Sequence, residues 1–172
     1  MIRICCVISA VLIVAIGYAQ DGALKVGQPA PEIALATPDG DTVALSSFKG
    51  KLVLVDFWAT WCAPCVKEQP ELRALYEQYR DGTTAGRFDI FGVSLDKSRD
   101  NWVNAIDRFD INWTQVSDLM FWKSPVAKDY AIEELPFNVL VGEQGTIVAI
   151  NLHGKELEDF IATHLGTFPA QP

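Results

Sequence analysis

The stretch Val55-Asp56-Phe57-Trp58-Ala59-Thr60-Trp61-Cys62-Ala63-Pro64-Cys65 joins two kinds of pattern. It begins inside Leu52 to Trp58, a near-continuous apolar run bounded by turn signals, as in a strand covered on both faces. It ends on a Cys-x-x-Cys pair that opens a helical pattern from Pro64 to Tyr79. There Val66, Leu72, Leu75, Tyr76 and Tyr79 recur at helical spacing, apart from a wider gap around Pro70. A strand running directly into a helix is the first half of a βαβ unit, so this stretch sets the fold class.

Outward from it, the rest of the chain agrees. Upstream, Gly22 to Pro31 reads as an extended lead-in. Glu32 to Ala36 and Thr42 to Leu45 form a short hairpin around Pro38-Asp39-Gly40-Asp41. Downstream, Asp81-Gly82 ends the first helix and Arg87 to Leu95 is a second buried strand. Ser98 caps an amphipathic helix to Phe109 that carries Trp102, Val103, Ile106 and Phe109 on one side. Trp113 to Val116 is a short extended piece, and Ser124-Pro125 starts a brief helix through Tyr130. Phe137 to Val141 and Thr146 to Ile150 are strands flanking Gly142-Glu143-Gln144-Gly145, and Lys155 to Leu165 is the last helix. The order predicts an α/β sandwich of three layers. Parallel strands come first, an antiparallel hairpin completes a mixed central sheet with helices on both faces, and the N-terminal β-hairpin is an extension.

The 172 residues suit one domain. Of the four cysteines, Cys5 and Cys6 lie in a segment of different character. Met1 to Ala19 holds sixteen apolar residues and one charge, Arg3, and its run Ile4 to Ile16 is thirteen residues long. A spanning helix needs about 20 residues, whereas a run of about 10–14 fits a signal-peptide core. Gly17-Tyr18-Ala19 supplies small residues at −3 and −1, so residues 1–19 read as a signal peptide cleaved after Ala19, or else as a membrane anchor, and 20–172 as the domain. Cleavage removes Arg3 and takes the net charge from −8 to −9. So acidic a chain lacks the basic face that nucleic acid requires.

Cys62 and Cys65 are then the only cysteines of the mature chain. Three positions of separation place the sulfurs about one helical turn apart, so a disulfide closes with little backbone movement. At a helix N-terminus the spare N–H groups and the dipole favour the thiolate, the form that attacks. Cys65, one turn in, is the resolving thiol. Pro64 pre-sets φ in the first turn. Two other readings compete. A zinc site wants four ligands, but no second pair exists, and His153 and His164 are separated by ten residues instead of three to five. A purely structural disulfide closing so short a loop is a poor staple. No metal and no cofactor beyond the Cys62–Cys65 disulfide is expected.

The central stretch resembles the active-site segment of thioredoxins. More closely, the chain resembles exported TlpA/ResA-type thiol–disulfide oxidoreductases. The likeness includes Gly27-Gln28-Pro29-Ala30-Pro31-Glu32-Ile33-Ala34-Leu35, Leu45-Ser46-Ser47-Phe48-Lys49-Gly50-Lys51, Cys65-Val66-Lys67-Glu68-Gln69-Pro70 and Tyr130-Ala131-Ile132-Glu133-Glu134-Leu135-Pro136. It runs from about Gly27 to Leu165. The resemblance implies a thioredoxin-like fold, Cys62 as nucleophile, Cys65 as resolving cysteine, and Pro136 as the cis-proline facing them, with Leu135 beside it in the substrate groove. Thr, Val or Ile is frequent where Leu135 stands. Pro70 falls where the family kinks this helix.

Asp56 lies in an otherwise apolar strand, where a carboxyl is held above its usual pKa and can take up and return the resolving thiol's proton. Thioredoxins have Asp at this place and many TlpA/ResA-like proteins Asn. Glu68 matches an acidic residue used near the cysteines in the ResA-like branch. Trp61, Ala63 and Pro64 are placed to meet substrate, Trp58 to pack in the core. His153 and His164 read as surface residues. The resemblance implies exchange with disulfide-bonded protein substrates in the periplasm or cell envelope, as in cytochrome c maturation, and a membrane-embedded thiol reductase as electron donor. A peroxiredoxin-like peroxidase shares the fold, but its Pro-x-x-x-Thr/Ser-x-x-Cys pattern is not met, because Thr60 stands two positions before Cys62 instead of three.

Overall fold

The computed structural model describes residues 24–80 and 85–166. The segment 1–19 and the Asp81-Gly82 turn lie outside the described residues. A two-stranded hairpin, β1 (Ala34–Ala36) and β2 (Thr42–Ala44), precedes β3 (Leu52–Trp58), α1 (Ala63–Arg80), β4 (Phe88–Ser94), α2 (Arg99–Arg108), β5 (Thr114–Val116), α3 (Pro125–Asp129), β6 (Phe137–Val141), β7 (Ile147–Ile150) and α4 (Gly154–Leu165). The main sheet has the order β5-β4-β3-β6-β7. Strands β3, β4 and β5 are parallel, β6 runs antiparallel to β3, and β7 antiparallel to β6. This is the three-layer mixed-sheet sandwich expected from the sequence, with the hairpin as a separate small sheet.

Strand β3 is central and buried at every position. Its alternate residues serve two cores. Leu52, Leu54 and Trp58 pack with Leu72, Leu75 and Tyr79 of α1, Trp102 of α2, and Leu157 and Ile161 of α4. Val53, Val55 and Phe57 pack on the other face with Val126 and Ala127 of α3, Tyr130, and Ile33 and Leu45 beside the hairpin. Two apolar faces on one strand are why the sequence shows a continuous apolar run where an exposed sheet would alternate.

Local signals act as the sequence suggests, with ends shifted by a residue or two. The Ser98 side chain accepts from Asn101 N–H at 3.3 Å and starts α2. Pro125 opens α3 in its first turn. Gly166, in the left-handed region at φ 68°, closes α4. The hairpin strands are shorter than expected, because pairing spans only Ala34↔Ala44 to Ala36↔Thr42.

The topology builds one active end. Because β6 runs opposite to β3, Phe137 lies beside Phe57. The cis Leu135–Pro136 bond just before β6 therefore falls at the end of β3 from which Cys62 and α1 emerge. On β4 the neighbouring position is Gly92, paired with Asp56 on one side and Gln115 on the other. The Gln115 side chain crosses over Gly92, and its Oε1 accepts from Trp58 Nε1 at 2.9 Å. A Cβ on Gly92 would stand 2.0 Å from Gln115 Nε2. Gly92→Ala is therefore expected to lower stability by about 1–3 kcal/mol, the usual cost of overpacking a core. Urea unfolding monitored by tryptophan fluorescence reads this directly, and an unchanged midpoint would contradict it.

Candidate active site

The site begins with the end of a strand and the start of a helix. Cys62 N–H donates to Ala59 O at 3.1 Å, and Val66 N–H donates to Cys62 O at 3.0 Å. Cys62 is thus the residue before the first helical position, with Ala63 and Pro64 in the first turn. Its Sγ accepts from Cys65 N–H at 3.2 Å. The sulfur occupies the place that a Ser or Asp oxygen takes when capping a helix, and it satisfies an N–H that has no partner within the helix. Such a position favours negative charge on sulfur once the disulfide is reduced. Cys62 and Cys65 are joined, with Cα atoms 5.3 Å apart. Cys65 is 1% exposed, Cys62 5%, and Ala63 and Pro64 are exposed.

The loop ahead of Cys62 is held by Asp96. This buried carboxylate accepts from Thr60 N–H at 3.1 Å, Thr60 Oγ1 at 2.7 Å and Ser94 Oγ at 2.8 Å. Trp61 Nε1 donates to Leu95 O at 3.3 Å. Sequence reasoning did not single out Asp96. The one available signal was a Ser-x-Asp at the end of a buried strand, with Thr60 needing a partner.

Asp56 is buried on the β3 face that α1 covers, and its Oδ2 has no hydrogen-bond partner. Burial first, and the like charge of Glu68 second, push its carboxyl up to about 7, against a hydrogen bond from the Gln69 side chain that pulls it down. Asp56, Glu68, Leu72, Asn138, His153 and Leu157 line a cavity of about 20 Å³, room for one water molecule. Glu68 Oε1 lies 3.0 Å from His153 Nδ1. Asn138 fixes the entry to α4, donating to Leu152 O at 2.7 Å and accepting from Leu152 N–H at 3.1 Å. Both histidines stand at the surface, as expected, and each lies against a carboxylate. His153 is half-buried against Glu68, and His164 is half-buried against Glu143 at 3.2 Å. The carboxylates are distant in sequence, which hid the pairings, while His153 Nε2 also lies 3.1 Å from the nearby Asn151 Oδ1.

The structure brings Cys62, Cys65, Trp61, Leu135 and Pro136 to one end of the sheet. It places Asp56 on β3 behind α1 and Glu68 on α1 itself, where both line one cavity. Leu135 is half-buried and touches both cores. Trp61 is 46% exposed, while Trp58 is buried. No group of three or more metal-binding side chains occurs among the described residues.

The fold and site define a thioredoxin-like thiol–disulfide oxidoreductase class. The chain matches the AhpC/TSA family over residues 26–150 and belongs to it. It is 31% identical over 138 residues to the thioredoxin-like protein YneN of Bacillus subtilis, covering 78% of each chain. It is 24% identical over 148 residues to the thiol-disulfide oxidoreductase ResA of Bacillus cereus, covering 86% of this chain and 81% of that one. Among solved structures, the thioredoxin domain of a thiol-disulfide oxidoreductase from Bacteroides vulgatus aligns with a TM-score of 0.76 at 36% identity, covering 83% of this chain and 99% of that one. A thiol-disulfide oxidoreductase from Bacteroides fragilis aligns with a TM-score of 0.74 at 32% identity, covering 80% and 99%.

The raised Asp56 carboxyl makes a stability prediction. Its folded value of about 7 lies above the ordinary 3.8, so ionisation opposes folding. Stability is fully present below the ordinary value and is lost as pH rises toward about 7. The gap corresponds to about 4 kcal/mol as an upper bound. Asp56→Asn is expected to gain up to that amount at pH 8 and almost nothing at pH 4. Denaturant melts at the two pH values test this, and an equal gain at both would contradict it.

Proposed function

We propose that this protein reduces disulfides in protein partners of the cell envelope. The observation that carries the reading is the Cys62–Cys65 disulfide at the N-terminus of α1, with Cys62 Sγ accepting the Cys65 N–H. In the reduced protein the Cys62 thiolate attacks one sulfur of a partner disulfide. A mixed disulfide forms, and the partner's other sulfur leaves as a thiolate. Asp56 takes the proton of the Cys65 thiol. The Cys65 thiolate then attacks Cys62 Sγ, the second partner sulfur is released, and the Cys62–Cys65 disulfide closes. Two electrons pass to the partner, whose thiolates are protonated. Trp61, Ala63 and Pro64 meet the partner, while Leu135 and Pro136 align its backbone. Glu68 keeps the Asp56 carboxyl high by like charge and exchanges its proton outward.

A membrane-embedded thiol reductase is proposed to return the electrons, with cytochrome c maturation as one setting. The support for the envelope is the Met1 to Ala19 segment, with its short positive start, apolar middle and small-residue end. Among the described residues no helix is long and apolar enough to cross a membrane. Family membership raises a peroxidase as the second reading, and the spacing from Thr60 to Cys62 disfavours it.

Insulin reduction tests the main reading. Cys62→Ser is expected to abolish turnover, and unchanged activity would sink the proposal. Peroxide consumption in the presence of excess thiol is expected to stay at background, and robust consumption would favour the peroxidase. Equilibration of the cysteine pair with glutathione tests direction: a potential well below that couple is expected of a reductant, and one well above it would mark an oxidant.

Glu68 makes a further prediction. If the Asp56 carboxylate accepts the Cys65 proton, resolution of the mixed disulfide speeds up as pH rises through about 7. Glu68→Gln removes the like charge, so the midpoint of that rise is expected to move to lower pH. Single-turnover rates across pH 5 to 9, taken as about the useful range for a neutral-range base, show it. A midpoint that stays put would remove Glu68 from the proton path.

A further inference from the structure

Beside the disulfide, the loop between β5 and α3 carries side chains that a globular fold would normally turn inward. Met120 is 47% exposed and Trp122 39%, with Phe121 half-buried between them. Together with Trp61 they are three of the four large apolar residues exposed among the described residues. The rings of Trp61, Phe121 and Trp122 form a triangle. Its sides are 5.0 Å from Trp61 to Phe121, 5.9 Å from Trp61 to Trp122, and 6.1 Å from Phe121 to Trp122.

The loop is built, not loose. Ser117 Oγ donates to Ser94 O at 2.7 Å and accepts from Leu119 N–H at 3.1 Å. Asp118 accepts from Met120 N–H at 2.9 Å and from Ser124 Oγ at 2.6 Å. Within this frame Leu119 and Phe121 both sit at φ 58°, a left-handed conformation unfavourable for bulky residues. Strain of this kind persists only where surrounding bonds impose it, and it is found disproportionately at functional sites. Here it holds aromatic side chains out beside the cysteines. Two lysines flank the rings, with Glu133 and Glu134 exposed on the far side, before Leu135. Lys97 Nζ lies 4.4 Å from the centroid of the Phe121 ring, Lys123 is exposed next to Trp122, and the Asp118 carboxylate is engaged within its loop.

We propose that Trp61, Met120, Phe121 and Trp122, with Lys97 and Lys123, form a docking platform for the partner segment that carries the reacting disulfide. The segment it fits has a large aromatic side chain and an acidic residue within two or three positions of its cysteine. The argument is continuity: Trp61 precedes Cys62 directly, so the ring triangle borders the nucleophile and extends the groove that Leu135 and Pro136 begin. At about 3.3 Å per extended residue, the triangle reaches two or three residues from the sulfur. The acidic preference follows from the two lysines. The inference rests on the disulfide-exchange reading above and names its substrate class.

The test uses the reduced protein and short peptides whose single cysteine is in mixed disulfide with glutathione. One peptide has Phe and Asp near the cysteine, a second Ala and Asp, a third Phe and Lys. Stopped-flow tryptophan fluorescence gives each rate, and an uncharged small disulfide, bis(2-hydroxyethyl) disulfide, serves as the small probe. The Phe/Asp peptide is expected to react about tenfold faster than either alternative, the scale of one well-placed aromatic contact. Trp122→Ala is expected to erase the Phe preference and Lys97→Glu to reverse the Asp preference. Both variants should react with bis(2-hydroxyethyl) disulfide at the wild-type rate, which also shows that they are folded. Equal rates for the three peptides, or preferences untouched in both variants, would overturn the platform while leaving exchange intact. Absence of any reaction with bis(2-hydroxyethyl) disulfide in the wild type would instead overturn the exchange reading itself.

Discussion

The capping of α1 by a sulfur is the contact on which the rest of this molecule turns. Cys62 stands where a helix needs an acceptor, and its Sγ takes the N–H of Cys65. The two cysteines are therefore tied together twice, by the disulfide and by the start of the helix. Anything that moves the end of β3 moves the nucleophile. This accounts for the density of bonds around that junction. Asp96 grips Thr60 by backbone and side chain, Leu95 N–H donates to Trp58 O at 2.9 Å, and Trp61 is tied to Leu95 O. Trp58 itself is anchored through Gln115 over the bare backbone of Gly92. The junction is rigid because the strand ends and loops around it are bonded to one another.

The same strand that delivers Cys62 also delivers Asp56, and the two requirements conflict. A strand covered on both faces is apolar, and a carboxyl placed in it loses its hydration. Asp56 Oδ2 is unpartnered, and Glu68 adds like charge instead of relief. A residue that only held the fold together would be apolar here, as Leu54 and Trp58 are on either side. The cost in stability at neutral pH is explicable if the carboxyl must change protonation near neutrality, which the small shared cavity with Glu68 and His153 permits.

The sequence was most informative where structure is local or strongly patterned. Leu52 to Trp58 was legible because burial on both faces leaves no polar alternation. The cysteine pair was legible because its chemistry depends on a spacing of three. Ser98 and Pro125 announced their helices through neighbours within the same turn. Asp96, Gln115 and His153 were not legible. Each acts through a residue far away in the chain, Thr60, Trp58 and Glu68 respectively, and only the packing of β4, β5 and the entry of α4 against β3 and α1 brings them together. The loop from Ser117 to Ser124 was hidden for another reason. Its left-handed residues are Leu119 and Phe121, not glycines, so the usual mark of such a turn is missing.

These differences separate the site into two sides of one helix. The outer side holds Trp61, the exposed first turn and the aromatic loop that packs on Trp61. The inner side holds Asp56, buried under α1, with Glu68 and His153 partly exposed at the edge of the cavity they share with it. Thiol–disulfide exchange needs both environments at once. The attacking sulfur must be reachable by a partner, and the resolving thiol must lose its proton before it attacks. Cys62 stands just before the first helical position and Cys65 one turn deeper on the same face, so the two bonded sulfurs lie at different depths. Cys65, at 1% exposure, is the deeper of the two sulfurs, and Cys62, at 5%, is followed by the exposed Ala63 and Pro64. The Cys-x-x-Cys spacing thus closes the disulfide and also marks where the exposed first turn gives way to the face that covers Asp56.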